Sequence, residues 1–210
     1  MNILIGTTNP AKIKLFEQLL AGYPITFVTL KELGVTAEPE EMGSDPAQNA
    51  AVKAAFYGKY ADYVICNDSG LYFDCLPLDD PRQPGLHIRT PGGKRLDDEA
   101  MIAYYAQLVH SLGGRVLAYY LDGFAVKTPA GVRTYLKSRE EARKGAFWIL
   151  DTPAAARRPG WPLDSLSTRL DGVPFIREGL KLKPTSGQDT QKVWADFLIQ
   201  SLGLEPLEEA

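Results

Sequence analysis

The sequence predicts an α/β fold with a mixed sheet, and three observations carry that reading. An apolar strand, Asn2 to Thr7, runs directly into a helix start at Asn9-Pro10. An Ala-rich helix, Pro46 to Tyr60, is followed by a second buried strand, Asp62 to Cys66. Two long strand patterns, Arg115 to Lys127 and Val132 to Ser138, meet at the turn Thr128-Pro129-Ala130-Gly131. The early βαβ-like order asks for parallel neighbours and the hairpin for antiparallel ones, so the sheet is mixed.

In chain order, Asn9 is a good N-cap and Pro10 sacrifices no needed donor, so a helix begins there. Ile13, Phe16, Leu19 and Leu20 keep helical spacing, and Gly22 ends the run. Ile25 to Leu30 reads as a strand, and 31–43 as an irregular acidic loop before Ser44-Asp45-Pro46 starts the next helix. After the strand ending at Cys66, Asn67-Asp68-Ser69-Gly70 reads as a turn, and Leu71 to Leu76 as extended. A Pro/Gly-rich loop, 77–93, precedes a helix from Leu96 to Leu112 that Gly113-Gly114 closes. A second such loop covers Thr152 to Pro162, and a last helix covers Asp189 to Leu202. No repeat or linker divides the chain, so residues 1–204 read as a single domain and 205–210 as an acidic tail.

Composition narrows the function classes. The 210 residues are 45% hydrophobic and 10% aromatic, which excludes a disordered chain and suffices for a core of one domain with two lobes. A net charge of -3 argues against nucleic acid as a partner, because binding long polyanions needs bulk positive charge. No apolar run is long enough for a membrane span. With only Cys66 and Cys75, and no secretory leader, a cytoplasmic protein is expected. Those cysteines and the two histidines show no zinc-ligand spacing.

Three places have chemistry. Thr7-Thr8-Asn9-Pro10-Ala11-Lys12 combines hydroxyls, a capping amide and a lysine around a helix N-terminus, a geometry that suits phosphate. Without its glycines it is not a Walker loop. The loop residues Glu38, Glu40 and Glu41 offer hard carboxylates for Mg²⁺, or simply a solvated acidic loop. Asp68 would lie at a strand's C-terminal edge, where ligands of α/β sheets bind, though Asp-Ser-Gly is equally a good turn. Lys53, by its place in an Ala-rich helix, reads as a surface lysine. Arg82, His87 and Arg89 read as solvated loop residues.

Taken together the motifs resemble the inosine triphosphate pyrophosphatase family, which cleanses nucleotide pools of non-standard purine nucleotides. The segment Thr7 to Lys12 matches its T-x-N-x-x-K. Glu41-Met42-Gly43, Asn49-Ala50 and Lys53-Ala54 match E-x-G, N-A and K-A. Asn67-Asp68-Ser69-Gly70-Leu71 matches D-D-S-G-L, and Pro84-Gly85 falls at its P-G. Gly160-Trp161-Pro162-Leu163-Asp164 is a looser counterpart of G-F-G-Y-D. The likeness is close up to Gly85 and diffuse beyond.

The resemblance implies a two-lobed domain around a long mixed sheet flanked by helices, acting as a homodimer. It implies Mg²⁺-dependent attack at the α-phosphorus of a nucleoside triphosphate such as ITP or XTP, giving the monophosphate and pyrophosphate. Lys12 and Lys53 would bind the triphosphate, assisted by Thr7, Thr8, Asn9, Ser69 and Gly70. Glu41, Asp68 and Asn67 would hold the metal, with Asp68 activating water; Trp161 and Asp164 would serve the base. Two departures stand out. Asn67 replaces the first Asp of the family pattern and brings no negative charge. The family's C-terminal S-H-R is absent, with Thr190-Gln191-Lys192 as the nearest counterpart and Lys183 standing in for an upstream lysine. They leave open a nucleotide binder with impaired catalysis, and a related inosine/xanthosine triphosphate phosphatase remains a further alternative.

Overall fold

In the computed structural model, which describes residues 1–176 and 188–205, the first layer follows the expected order. It runs β1 (Asn2–Ile5), α1 (Pro10–Leu19), β2 (Thr26–Thr29), α2 (Pro46–Tyr57) and β3 (Val64–Phe73). Then come α3 (Asp98–Ser111), the hairpin β4 (Arg115–Thr128) and β5 (Gly131–Leu136), α4 (Arg139–Arg143), β6 (Phe147–Leu150), β7 (Ser167–Thr168) and α5 (Gln188–Leu202). The strands make a seven-stranded mixed sheet in the order β2-β1-β3-β4-β6-β7, with β5 on β4. β1 is parallel to β2 and β3, whereas β4 is antiparallel to β5 and β6.

The chain divides into two compact units. The first holds Met1–Ser69, Asp122–Lys137 and the C-terminal segment with α5; the second holds Gly70–Leu121 and the segment from Ser138 with α4, β6 and β7. In the first unit, strand alternation sorts side chains onto two faces. Ile3, Ile5, Ile65, Phe124 and Val126 pack with Phe16 and Leu20 near α1 and with Trp194 and Leu198 of α5. Leu4, Val64, Cys66 and Ala125 pack with Ala50, Ala54 and Tyr57 of α2. In the second unit, Leu71, Phe73, Val116, Ala118, Phe147 and Ile149 pack with Met101, Ile102, Tyr105 and Val109 of α3.

The principal correction to the sequence reading concerns β3. No turn interrupts the chain at Asn67-Asp68-Ser69-Gly70; the strand continues through it to Phe73, and Asp68 lies mid-strand rather than at a strand end. The polar side chains there find partners on neighbouring elements, so their turn-forming hydrogen bonds are not needed. Gly70 lacks the positive φ such a turn would use. It serves close approach instead: a Cβ would lie 2.8 Å from the Tyr72 ring. The structure also adds α4 and β6, which the sequence reading left without assignment. A helix of five residues has too little length for periodicity, and its signature is the capping box between Ser138 and Glu141. Among the described residues no helix is long and apolar enough to cross a membrane.

Candidate active site

The site is built in the first unit, from α1, α2 and β3. At the start of α1 the Asn9 side chain accepts from the Ala11 amide at 2.9 Å, and Thr7 Oγ1 accepts from the Asn9 amide at 3.2 Å. Thr8 is exposed beside them. This locked turn aims Lys12 inward, where its ammonium donates to the Asn67 carbonyl at 3.5 Å. Burial lowers the Lys12 pKa, with Asp68 and Asp122 pulling it upward and Lys53 adding repulsion. Asn9→Ala is expected to cost about 1 kcal/mol of stability by uncapping α1, read as a lowered melting temperature. An unchanged melting temperature would show that the cap does not hold this turn.

α2 supplies the opposite wall. Asp45 caps it by accepting from the Gln48 amide at 2.9 Å. Asn49 and Lys53, one turn apart, then point the same way. Asn49 accepts from the Gly43 amide at 2.8 Å and donates to Asp68 Oδ2 at 3.1 Å. Gly43 leaves room for this, since a Cβ there would meet Asn49 Oδ1 at 2.7 Å. Lys53 Nζ lies 2.9 Å from Glu41 Oε1 and 3.1 Å from Asp68 Oδ1. Burial opposes the Lys53 charge, but Asp68 and Glu41 outweigh it and raise its pKa. Lys53 is therefore a largely buried bridge between two carboxylates, in contrast to the surface lysine its sequence context suggested.

β3 carries the centre. Asp68 is 9% exposed and both its oxygens are held, one by Asn49 and one by Lys53. Asn67 is 4% exposed, and its Oδ1 is buried with no hydrogen-bond partner among the described residues. Ser69 Oγ donates to Asp122 Oδ1 at 2.8 Å. The neighbouring Cys66 thiol is pushed up to about 12 by burial, which makes it a poor nucleophile.

Two groups at this centre escaped the sequence reading. Asp122 lies in β4, and its signal was present: a charged residue inside the otherwise apolar run from Val116 to Val126. Lys137, just past β5, donates to Thr190 Oγ1 at 3.2 Å. Nothing in its local sequence marks it.

Thus Lys12, Glu41, Lys53, Asn67, Asp68 and Ser69 converge. Of the C-terminal candidates, Thr190 meets Lys137, while Lys192 is an exposed residue paired with Asp196 at 2.7 Å. Gln191 lies beside them on α5, and Lys183 falls outside the described residues. Gly70, Trp161 and Asp164 belong to the second unit. There Arg158 pairs with Asp164 at 3.0 Å and lies over the Trp161 ring, whose indole nitrogen is buried with no partner among the described residues. Asp98 accepts from the Gly160 amide at 2.9 Å and pairs with Arg89, which fixes that loop. Arg82 is taken up by Asp80 at 2.7 Å.

The fold and site define an α/β protein with a mixed sheet that carries a part-buried cluster of lysines and carboxylates. Residues 3–134 match the Ham1 family, and the chain belongs to that family. It is 36% identical over 100 residues to a dITP/XTP pyrophosphatase of Bacillus subtilis, covering 47% of this chain and 48% of that one. A dITP/XTP pyrophosphatase of Rhodopseudomonas palustris is 31% identical over 134 residues, covering 61% of each chain. The chain thus spans about half to three-fifths of the length of these curated relatives. The structure of the Staphylococcus aureus Ham1 protein superposes with a TM-score of 0.60 at 21% identity, covering 96% of this chain and 97% of that one. At that identity the likeness establishes the fold, a mixed α/β sheet flanked by helices, as expected from the sequence.

Proposed function

We propose that the protein hydrolyses nucleoside triphosphates of non-standard purines, such as ITP and XTP, to the monophosphate and pyrophosphate. The observation that carries this reading is the Lys53 bridge between Glu41 and Asp68, with a second, half-buried ammonium, Lys12, beside it. Two partly buried cations and an oriented carboxylate are what phosphoanhydride cleavage asks of a protein, because catalysis there is positioning and charge stabilisation. The names of the relatives support the same substrate class.

A magnesium ion fits these residues. Among the described residues no three His, Cys, Asp or Glu side chains form a cluster able to hold a metal alone. Mg²⁺, however, is commonly bound by one or two carboxylates together with substrate phosphates. Glu41 and Asp68 supply hard oxygens on the α2 face, whereas strand alternation turns the Asn67 side chain to the other face of β3. When bound, the ion would neutralise charge developing on the polyphosphate. Lys12 and Lys53 bind the phosphates, and the Thr7-Thr8-Asn9 turn adds amide and hydroxyl donors. Asp68 takes the proton of the attacking water as its oxygen bonds to the α-phosphorus. The α–β bridging bond breaks, and pyrophosphate leaves with the electron pair. Ser69 assists with the phosphates, and Gln191 and Lys192 take the role of the family's C-terminal motif. The protein works in this reading as a cytoplasmic homodimer; both cysteines are free, as a reducing compartment would leave them.

Purified protein with Mg²⁺ and a panel of ITP, XTP, dITP and the standard triphosphates tests the reading. Pyrophosphate release, fastest with an inosine or xanthosine nucleotide, is expected. Release of orthophosphate would identify a triphosphate phosphatase instead. Calorimetric binding without turnover would identify an impaired enzyme, the reading that the neutral Asn67 favours, and no turnover or binding would overturn both.

A further inference from the structure

The register of the β4–β5 hairpin sets Lys137 opposite Asp122, one step beyond the Gly123–Leu136 pair, and the Lys137 amide donates to the Asp122 carbonyl at 3.2 Å. Residues opposed in this way share a face of the sheet. Alternation puts Phe124 and Tyr135 next on that face, where they pack on Trp194 and Phe197 of α5. Asn67 and Ser69 of β3 belong to the same face as Ile65, and Ser69 Oγ donates to Asp122 Oδ1 at 2.8 Å. Two lysines reach this face. Lys12 comes from α1 and donates to the Asn67 carbonyl at 3.5 Å, while Lys137 Nζ donates to Thr190 Oγ1 of α5 at 3.2 Å. Neither ammonium is ion-paired among the described residues, whereas Lys53 on the α2 face holds two carboxylates. Burial raises the Asp122 pKa, with Ser69, Lys12 and Lys137 pulling it down, so both ammonium groups lie close enough to act on this one carboxylate. The Asn67 side chain is 4% exposed; its Oδ1 has no partner among the described residues, and its amide carries two N–H donors of its own.

We infer that Lys137 is a phosphate-binding residue, which with Lys12 and the Asn67 amide forms a seat for the oxygens of a polyphosphate on the α1/α5 face of β3. An ammonium has three N–H donors, and Lys137 spends one of them on Thr190. Thr190 lies in the first turn of α5, the positive end of the helix dipole, where a cation is disfavoured and an anion is welcome. Lys12 stands in the first turn of α1 in the same way. Lys12 and Lys137 against Asp122 give this face one positive charge in excess; Lys53 against Glu41 and Asp68 gives the α2 face one negative charge in excess. That division suits phosphate oxygens on one face and a cation on the other. Asn67 preserves it, because a carboxylate at its position would cancel the positive excess and an amide does not.

The inference rests on the triphosphate reading above, but its test needs no turnover. Inorganic tripolyphosphate is titrated calorimetrically, without metal, into the unaltered protein, Lys137→Met, Lys137→Arg and Arg133→Gln. Removing one charge-assisted hydrogen bond, Lys137→Met is expected to weaken binding about tenfold or more. Lys137→Arg keeps the charge and is expected to bind within about threefold of the unaltered protein. Arg133 lies on the same face of β5 and also ties it to α5, through the Gln200 carbonyl at 3.4 Å. Arg133→Gln is expected to leave the affinity unchanged; a loss equal to that of Lys137→Met would reduce Lys137 to a strut between strand and helix and overturn the inference. Unchanged affinity in Lys137→Met, no recovery in Lys137→Arg, or no binding by the unaltered protein would each overturn it as well. Should Lys137→Met not fold, Lys137→Gln is titrated in its place. The expected pattern in a protein that cleaves no nucleotide would keep the inference and remove the proposed reaction; nucleotide cleavage without the pattern would do the reverse.

Discussion

Asp68→Asn is expected to lower kcat by about a thousandfold while leaving the fold in place, the loss associated with removing a general base from a proton transfer. The amide keeps one acceptor oxygen, so it retains the bond to Lys53 or the one to Asn49 but not both. The stability cost is thus about 1 kcal/mol, that of one buried hydrogen bond. Lys53 stays anchored by Glu41 at 2.9 Å, so phosphate binding, and with it KM, is expected to change far less than kcat. Steady-state kinetics on the preferred triphosphate, with a thermal melt of the variant, would measure both. A kcat within twofold of the original would remove Asp68 from the proton transfer.

Gly123→Ala is expected to be the most damaging small substitution for stability. A Cβ at this point of β4 would lie 2.2 Å from the Ala47 amide nitrogen and 2.4 Å from the Pro46 carbonyl carbon. Both are backbone atoms at the start of α2, so no side chain can turn aside and the helix itself must move. Overpacking of this kind costs about 3 kcal/mol or more. The displaced helix carries Asn49 and Lys53, so activity should fall with stability. Urea denaturation would show a lowered midpoint with an unchanged slope. A stability loss, taken as the midpoint shift times the slope, of under about 0.5 kcal/mol would mean that α2 does not rest on β4 as described.

Much of the fold was legible because its signals are local. The Asn9-Pro10 and Asp45-Pro46 starts are capping chemistry decided within three or four residues, and the caps form as read. The hairpin was legible for the same reason, its strands pairing from Gly123–Leu136 to Thr128–Gly131. The continuity of β3 was not. Asn-Asp-Ser-Gly has the local preference of a turn, and its extended form depends on Asn49, Lys53 and Asp122 arriving from elsewhere in the chain. The role of Lys53 is hidden in the sequence for a related reason: helix context says which residues share a face, but not what lies opposite.

By itself the sequence determined the α/β class, the helix starts, the absence of bulk charge for nucleic acid, and the motif residues Lys12, Glu41, Lys53 and Asp68. These follow from periodicity, capping and residue chemistry, which act over a few positions. Only the tertiary structure decided that Lys53 bridges Glu41 and Asp68, that Asn67 Oδ1 has no partner among the described residues, and that Asp122 and Lys137 join the centre. Ion pairing and desolvation act over a few ångströms of space, and Ser69 and Asp122 are 53 positions apart in the chain. Strand pairing brings such residues together, and no local pattern records it.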